Sequence, residues 1–389
     1  MKRNSQLFAL GFRPFYLLAA IFAFASVLFW LLSFTGVFHV AGYLQSIFWH
    51  SHEMVFGFAI AVMSGFLFTA VRNWTGLPTP TGFALAALAA LWVAGRVLII
   101  TGPPPLAALV DAVFVPALAV AIAVPILRSR NQRNYKIVAL LMLIGITNVV
   151  YHLATLSFVP AWLANTSLIA ALDLITIVFA IVAGRVIPAF TKSAIPGSEP
   201  RHARWLEILS FGSLVLIIVL RVSNDWVSIP AVITTTTLVV AAVSHTYRLA
   251  LWQPQLTAGN PLLWMMPVAY SWLPMAFFLR ALAENSLVSQ GVWIHALTMG
   301  AISGLMLAMM MRSALGHTGR SLVASGLDMS AFLMLQIAAI IRVTAGLFAA
   351  SLYQALVIFS GVVWVLAFCA FLLRYLPMLV RPRIDGKPG

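Results

Sequence analysis

Three histidine-bearing stretches hold most of the chemistry available to this sequence: Trp49-His50-Ser51-His52-Glu53-Met54, Tyr151-His152 and Trp293-Ile294-His295. Neutral imidazole suits iron, copper and zinc, which makes His50, His52, His152 and His295 the candidate metal ligands. Successive residues of an α-helix are rotated by about 100°, so His50 and His52 point about 200° apart. They either serve different sites or sit on an irregular first turn. His52 and His295 each precede a glycine by five residues, Gly57 and Gly300, with Gly65 and Gly304 further along. Small residues let a neighbouring helix or a planar ligand come close. The shared pattern makes His52 and His295 equivalents, and two imidazoles on two helices could flank a haem from opposite faces. His50 and His152 would then serve a second metal or a distal position.

Arg96, Arg221 and Arg342 each lie inside an apolar run and each is followed by valine. Ionisable groups in such runs are costly and usually face partners or cavities, yet the outer half of the spans offers only Glu53, Asp111, Asp225 and Glu284 as carboxylates. These arginines are therefore candidates for cofactor binding through haem propionates, or else they snorkel and bond to carbonyls. Asp173 lies midway along another run, placed for a proton relay or for bonding to Thr or Tyr. The methionines at 306 and 309–311 could bind Cu(I) or simply pack. His245 falls near the end of a run, and His39, His202 and His317 fall in loops, where solvent or phosphate-level roles are expected. Cys369 is the only cysteine, which leaves no disulfide framework and no cysteine-based metal motif.

The elements that must position these residues are set by composition. Of 389 residues, 62% are hydrophobic and 8% charged, with a mean hydropathy of +1.02, against roughly 25% charged residues in soluble proteins. The solvent is lipid, where backbone groups must bond internally as helix or closed barrel, and the long continuous apolar runs exclude the barrel. Twelve runs fall at 14–35, 48–71, 82–101, 105–127, 135–157, 162–187, 204–222, 227–249, 261–282, 290–312, 328–350 and 353–376. The weakest separation is the Gly-Pro-Pro-Pro run at 102–105, a tight turn or a reentrant break. The basic N-terminus leads into a run of spanning length without a small-residue cleavage site, and reads as the first retained span.

The formal charge of +14 does not indicate nucleic acid, because the basic residues are dispersed in short segments between apolar runs rather than gathered on one soluble face. Nineteen of the 23 Lys and Arg residues fall on the side of both termini and four on the other. Positive-inside bias puts both termini in the cytoplasm of a multi-pass inner-membrane protein. Arg72, Arg185 and Arg312 close spans two, six and ten as Arg96, Arg221 and Arg342 mark spans three, seven and eleven. A single transmembrane domain, 1–389, is expected, with three four-helix repeats at 1–130, 131–255 and 256–389. An even number of helices per repeat sets the pseudo-symmetry axis along the membrane normal.

Leu10-Gly11-Phe12-Arg13-Pro14-Phe15, His50-Ser51-His52-Glu53-Met54, Asn73-Trp74-Thr75-Gly76, Gly184-Arg185-Val186-Ile187-Pro188-Ala189-Phe190-Thr191 and Leu315-Gly316-His317-Thr318-Gly319-Arg320 resemble the NnrS family. The resemblance spans nearly the whole chain. It implies a haem- and copper-containing bacterial membrane protein linked to nitric oxide metabolism and nitrosative stress, with nitric oxide or a related small molecule as its partner and haem of b type. It assigns no ligands. With no soluble electron-transfer domain in view, turnover would need quinol or a protein electron donor. The alternative reading is a transporter for a metal ion or small solute, for which Pro267, Pro274 and Asp173 would supply a broken helix and a midplane polar site.

Overall fold

The computed structural model describes residues 6–38, 42–348 and 351–387, and the described residues are helical with no strand. Twelve long helices follow one another: α1 (Phe12–Phe34), α2 (Ser46–Thr75), α3 (Gly82–Thr101), α4 (Pro104–Arg128), α5 (Tyr135–Thr155), α6 (Trp162–Ala194), α7 (Arg204–Asn224), α8 (Ala231–Leu251), α9 (Pro261–Glu284), α10 (Gln290–His317), α11 (Gly326–Phe348) and α12 (Tyr353–Val380). The expected all-α polytopic architecture is what the chain adopts. Eleven of these helices are long and apolar enough to cross a membrane. The exception is α8, which has the length but whose threonines at 234–237 and polar His245–Arg248 end lower its hydropathy.

Local chemistry explains the helix ends. Gly102 terminates α3, and Pro104 and Pro105 occupy the first turn of α4, so the Gly-Pro-Pro-Pro run is a tight turn. Proline suits that position because its missing N–H would have no helical partner. Gly76 closes α2 at φ +69°, the left-handed conformation that glycine adopts without a Cβ penalty. The Asn260 side chain accepts from Leu262 N at 3.1 Å to start α9. Within the spans, hydroxyls bond back along their own helices, as Ser64 to Ile60 O at 2.7 Å and Thr69 to Gly65 O at 3.0 Å, which satisfies them where water is absent.

Two helices depart from α geometry. α2 is α-helical over Ser46–His52, π-helical over Glu53–Ala59 and α-helical again from Ile60. α10 does the same, with Gln290–His295 followed by a π-helical Ala296–Ser303. Each wide turn begins at the residue after a candidate histidine, His52 or His295. Such segments carry one extra residue per turn and collect at functional sites.

The helices form two compact units. The first comprises 1–175, 313–321 and 371–389, the second 176–312 and 322–370, so that α6, α10 and α12 contribute a stretch to each. In the first unit the start of α1 meets the ends of α10 and α12. Arg13, fully buried, donates through one guanidinium nitrogen to Leu379 O at 2.9 Å and Arg381 O at 2.7 Å, and Phe12 packs on His317 at 5.5 Å between rings. At the far ends of α1 to α5, the 42–45 segment folds over the bundle. Tyr43 N donates to Ile99 O at 3.2 Å, and Leu44, Trp49, Ile99, Ala107 and Tyr151 make a small core there.

Candidate metal centre

Four helices deliver polar side chains to one place in the first unit. His52 and Glu53 lie at the α-to-π junction of α2, Arg96 five residues before the end of α3, Asp111 in the second turn of α4, and Asn148 and His152 in the last two turns of α5. At 1.5 Å per residue, His52, Arg96, Asp111 and His152 sit roughly 5 to 11 Å in from their helix ends. Gly95 makes the approach of α4 possible, since a Cβ there would lie 3.2 Å from Asp111 Oδ1.

The bonding is asymmetric in a way that matters. Asp111 gives Oδ1 to Arg96 and turns Oδ2 toward His152 Nε2 at 2.9 Å, His52 Nε2 at 3.2 Å and the Asn148 amide, which donates at 2.8 Å. The two imidazoles are held from behind by their other nitrogens. His52 Nδ1 faces Glu53 Oε1 at 3.0 Å, and His152 Nδ1 faces the Tyr43 hydroxyl at 3.4 Å. Burial pushes the Tyr43 phenol up to about 12, against a hydrogen bond with Thr155, so it keeps its proton at neutral pH. Arg96 also donates to Glu53 Oε1 at 2.7 Å, while Glu53 Oε2 is buried without a hydrogen bond.

Glu53 and Asp111 against Arg96 leave a formal charge of minus one if both imidazoles are neutral, and buried net charge is costly. Asn148 spends its N–H on Asp111, so its oxygen faces His52 Nε2 at 3.1 Å. His52 therefore has acceptors at both ring nitrogens and needs either two protons or a cation at Nε2. Among the described residues the atoms of His52, Asp111 and His152 form a metal-competent group, all within 4.8 Å of one another. Two imidazoles and a carboxylate, with a second carboxylate behind one ring, is the arrangement that orients metal-bound histidines.

The profile of the family described as NnrS protein matches residues 6–383. This chain belongs to the NnrS family. No curated protein matches it. Membership carries a role linked to the nitric oxide response, and the NnrS motifs now have places. His52 and Glu53 build the cluster, Arg13 caps α12, and Gly184 gives α6 the bare backbone against which the Arg248 guanidinium packs.

Of the NnrS candidates expected from sequence, the fold brings His52, His152 and Arg96 together and adds Asp111 and Asn148. The other site candidates are placed elsewhere. His50 stacks on Trp30 at 4.5 Å. His295 belongs to the second unit, half-buried, with Nδ1 bonded to Gly291 O at 2.6 Å. Arg342 donates to the Tyr353 hydroxyl at 3.1 Å, and Arg221 is half-buried near the end of α7. The close approach expected at the glycines is taken up by side chains, Trp272 against Gly300 and Tyr16 against Gly65. His39 lies outside the described residues.

One expectation is corrected. His245 is not at a solvent or phosphate level but fully buried, in a network of the second unit. Its Nδ1 lies 2.6 Å from the Tyr270 hydroxyl, which accepts from Arg248 at 2.9 Å. Arg248 also donates to both Glu207 oxygens, at 2.8 and 2.9 Å, and to Ala180 O at 3.0 Å. The run read from sequence ends within two residues of the observed Leu251; what it could not show is that Glu207 of α7 and Tyr270 of α9 meet this end of α8. The available signal was that His245 and Arg248 are three apart, on one helical face, with Glu207 at the matching end of the antiparallel α7.

Proposed function

We propose that this protein acts in the nitric oxide response by binding nitric oxide or a related nitrogen oxide at a metal centre in the membrane half away from the chain ends. The observation that carries the reading is the convergence of His52 Nε2, His152 Nε2 and Asp111 Oδ2, each ring oriented through Nδ1. The donor set fits one borderline ion such as copper or iron. The orphaned Glu53 Oε2 and the excess negative charge fit a cation in the same place. Haem asks for a different geometry, an imidazole with one nitrogen anchored and the other presented to iron. His295, anchored through Nδ1 to Gly291 O, remains the candidate of the second unit, whereas both nitrogens of His52 are engaged. Arg221 and Arg342 remain the candidates for propionates, whereas Arg96 is committed to Glu53 and Asp111.

A bound metal would supply a Lewis-acid and redox position for the nitrogen oxide. The chain's own groups do the rest. Glu53 and Tyr43 fix the rings, Arg96 keeps both carboxylates from repelling one another, and the 42–45 segment shields the cluster from bulk water. Electrons would come from quinol or a partner protein. The inner membrane is the expected location, with both termini cytoplasmic.

Metal analysis and optical spectra of the purified protein, with and without nitric oxide, test this. His152→Ala and Asp111→Asn should each lose one metal ion per chain while a haem band, if present, survives. Glu53→Gln should weaken metal affinity about 10- to 100-fold, the weight of such supporting carboxylates. Unchanged metal content in both His152→Ala and Asp111→Asn would remove the centre from this site.

A further inference from the structure

The face of the first unit that bears the chain ends holds another assembled feature, independent of the metal centre. α10 ends at His317 and turns on Gly319 at φ +76°, where a Cβ would meet the Asp385 carboxylate at about 3 Å. Arg320 N closes the turn on Leu315 O at 2.9 Å, and Ile384 N reaches Thr318 O at 3.3 Å. Arg383 donates to His317 O at 3.0 Å and pairs with Asp385 through two bonds of 2.7 and 2.9 Å. That pairing holds the Asp385 carboxyl well below its ordinary range. The turn after α10 and the tail after α12 are thus stitched into one platform.

The acceptors on this platform are already taken. Helix C-terminal carbonyls carry partial negative charge, and those of α12 are used by Arg13 while that of His317 is used by Arg383. Arg320 has only a 3.4 Å bond to Thr318 O, and neither Arg320 nor Arg381 has a carboxylate partner among the described residues. Burial, then the charges of Arg374 and Arg381, pull the Arg320 guanidinium below its ordinary value. Like charges are thus held close to one another at the ends of α10 and α12.

We propose that Arg320 and Arg381 bind the phosphodiester headgroup of an anionic phospholipid. Guanidinium groups match phosphate oxygens with paired, charge-assisted hydrogen bonds. The lipid is favoured as the source because Arg381 directly follows the last residue of α12 and Arg320 comes three residues after the last of α10. Spanning helices end at the headgroup layer, and basic pockets at such ends collect anionic headgroups.

The test is native mass spectrometry of delipidated full-length protein titrated with phosphatidylglycerol, or with phosphatidylcholine of the same acyl chains. The wild type should retain the anionic lipid preferentially. Arg320→Gln with Arg381→Gln should lower that retention about 30-fold, the weight of two basic residues at an anionic surface. Arg130→Gln with Arg133→Gln, in the α4–α5 loop, should leave it unchanged. Arg381 is exposed, so Arg381→Gln alone cannot act through misfolding and should still lose about five-fold. The proposal is overturned if Arg381→Gln and the double variant bind like the wild type, if phosphatidylcholine is held as tightly, or if millimolar inorganic phosphate displaces the lipid.

Discussion

At the scale of single residues, the second unit offers the sharper energetic test, because its network contains no metal candidate. The Tyr270 hydroxyl accepts from Arg248 and sits 2.6 Å from His245 Nδ1, so Tyr270→Phe leaves a buried guanidinium and a buried imidazole each short of a partner. An unsatisfied buried group costs about 1–3 kcal/mol. Tyr270→Phe should therefore destabilise by about 2–4 kcal/mol, read as a lowered midpoint of unfolding in denaturing detergent, whereas Tyr247→Phe, at an exposed position, should be near neutral. A shift in Tyr270→Phe no larger than in Tyr247→Phe would show the network to be slack. Sequence reading reached the histidines and arginines of the first unit because their types are rare in apolar runs. It could not reach Asp111 as a shared ligand or Asn148 as a fixed acceptor, since both roles depend on the rotation of α4 and α5 about their axes.

At the scale of elements, each of the two π-helical segments begins at the residue after a candidate histidine, and in α2 the wide turn sets the rotation of His52 and Glu53 relative to the rest of the helix. The sequence posed the alternative of separate sites or an irregular first turn, and α2 follows the former, since Ser46–His52 is regular α-helix. His52 turns inward to Asp111 while His50 lies against Trp30, and the irregular turn follows immediately over Glu53–Ala59. The Gly57 carbonyl of this wide turn also accepts from Trp92 Nε1 at 3.2 Å and so ties α2 to α3. Deleting Val55 should restore an α-helical register and rotate His52 and Glu53 by about 100° relative to the helix that follows. The expected result is a folded protein, monodisperse in detergent, that has lost the metal bound through His52. Deleting Val37, in the exposed α1–α2 loop, should keep it. Full metal occupancy after the Val55 deletion would mean that the π segment does not set the ligand. Periodicity and propensity carry no signal for one extra residue in a turn, which is why most helix limits were legible to within a few residues, the ends of α6 and α10 running five to seven residues further, while this feature was not. The recurrence of the segment after His295, but not at the start of α6, fits the proposed equivalence of His52 and His295 within the proposed repeats.

At the scale of the whole molecule, parity decides a question that hydropathy leaves open. Arg13, at the start of α1, bonds to carbonyls at the end of α12, so those two helix ends lie on one face of the first unit and an even number of crossings is expected. Eleven helices satisfy the apolar criterion, and α8 is then predicted to be the twelfth crossing in spite of its threonines. Hydropathy alone cannot see this, because the polar end of α8 is satisfied by Glu207 and Tyr270 rather than by water. Cysteine scanning in intact cells decides the matter once Cys369, half-buried in α12, is replaced by Ser. If the basic face is cytoplasmic, an impermeant maleimide should label Val37→Cys and Leu287→Cys from outside, and Thr81→Cys and Val323→Cys only after lysis. The decisive pair flanks α8. Val227→Cys, in the exposed α7–α8 loop, should react from outside, while Gln255→Cys, exposed after α8, should react only after lysis. If Val227→Cys and Gln255→Cys label from the same side, α8 does not cross and the contact between Arg13 and α12 cannot be reconciled with eleven spans. If all six positions reverse sides, the crossings stand and the charge argument for cytoplasmic termini falls.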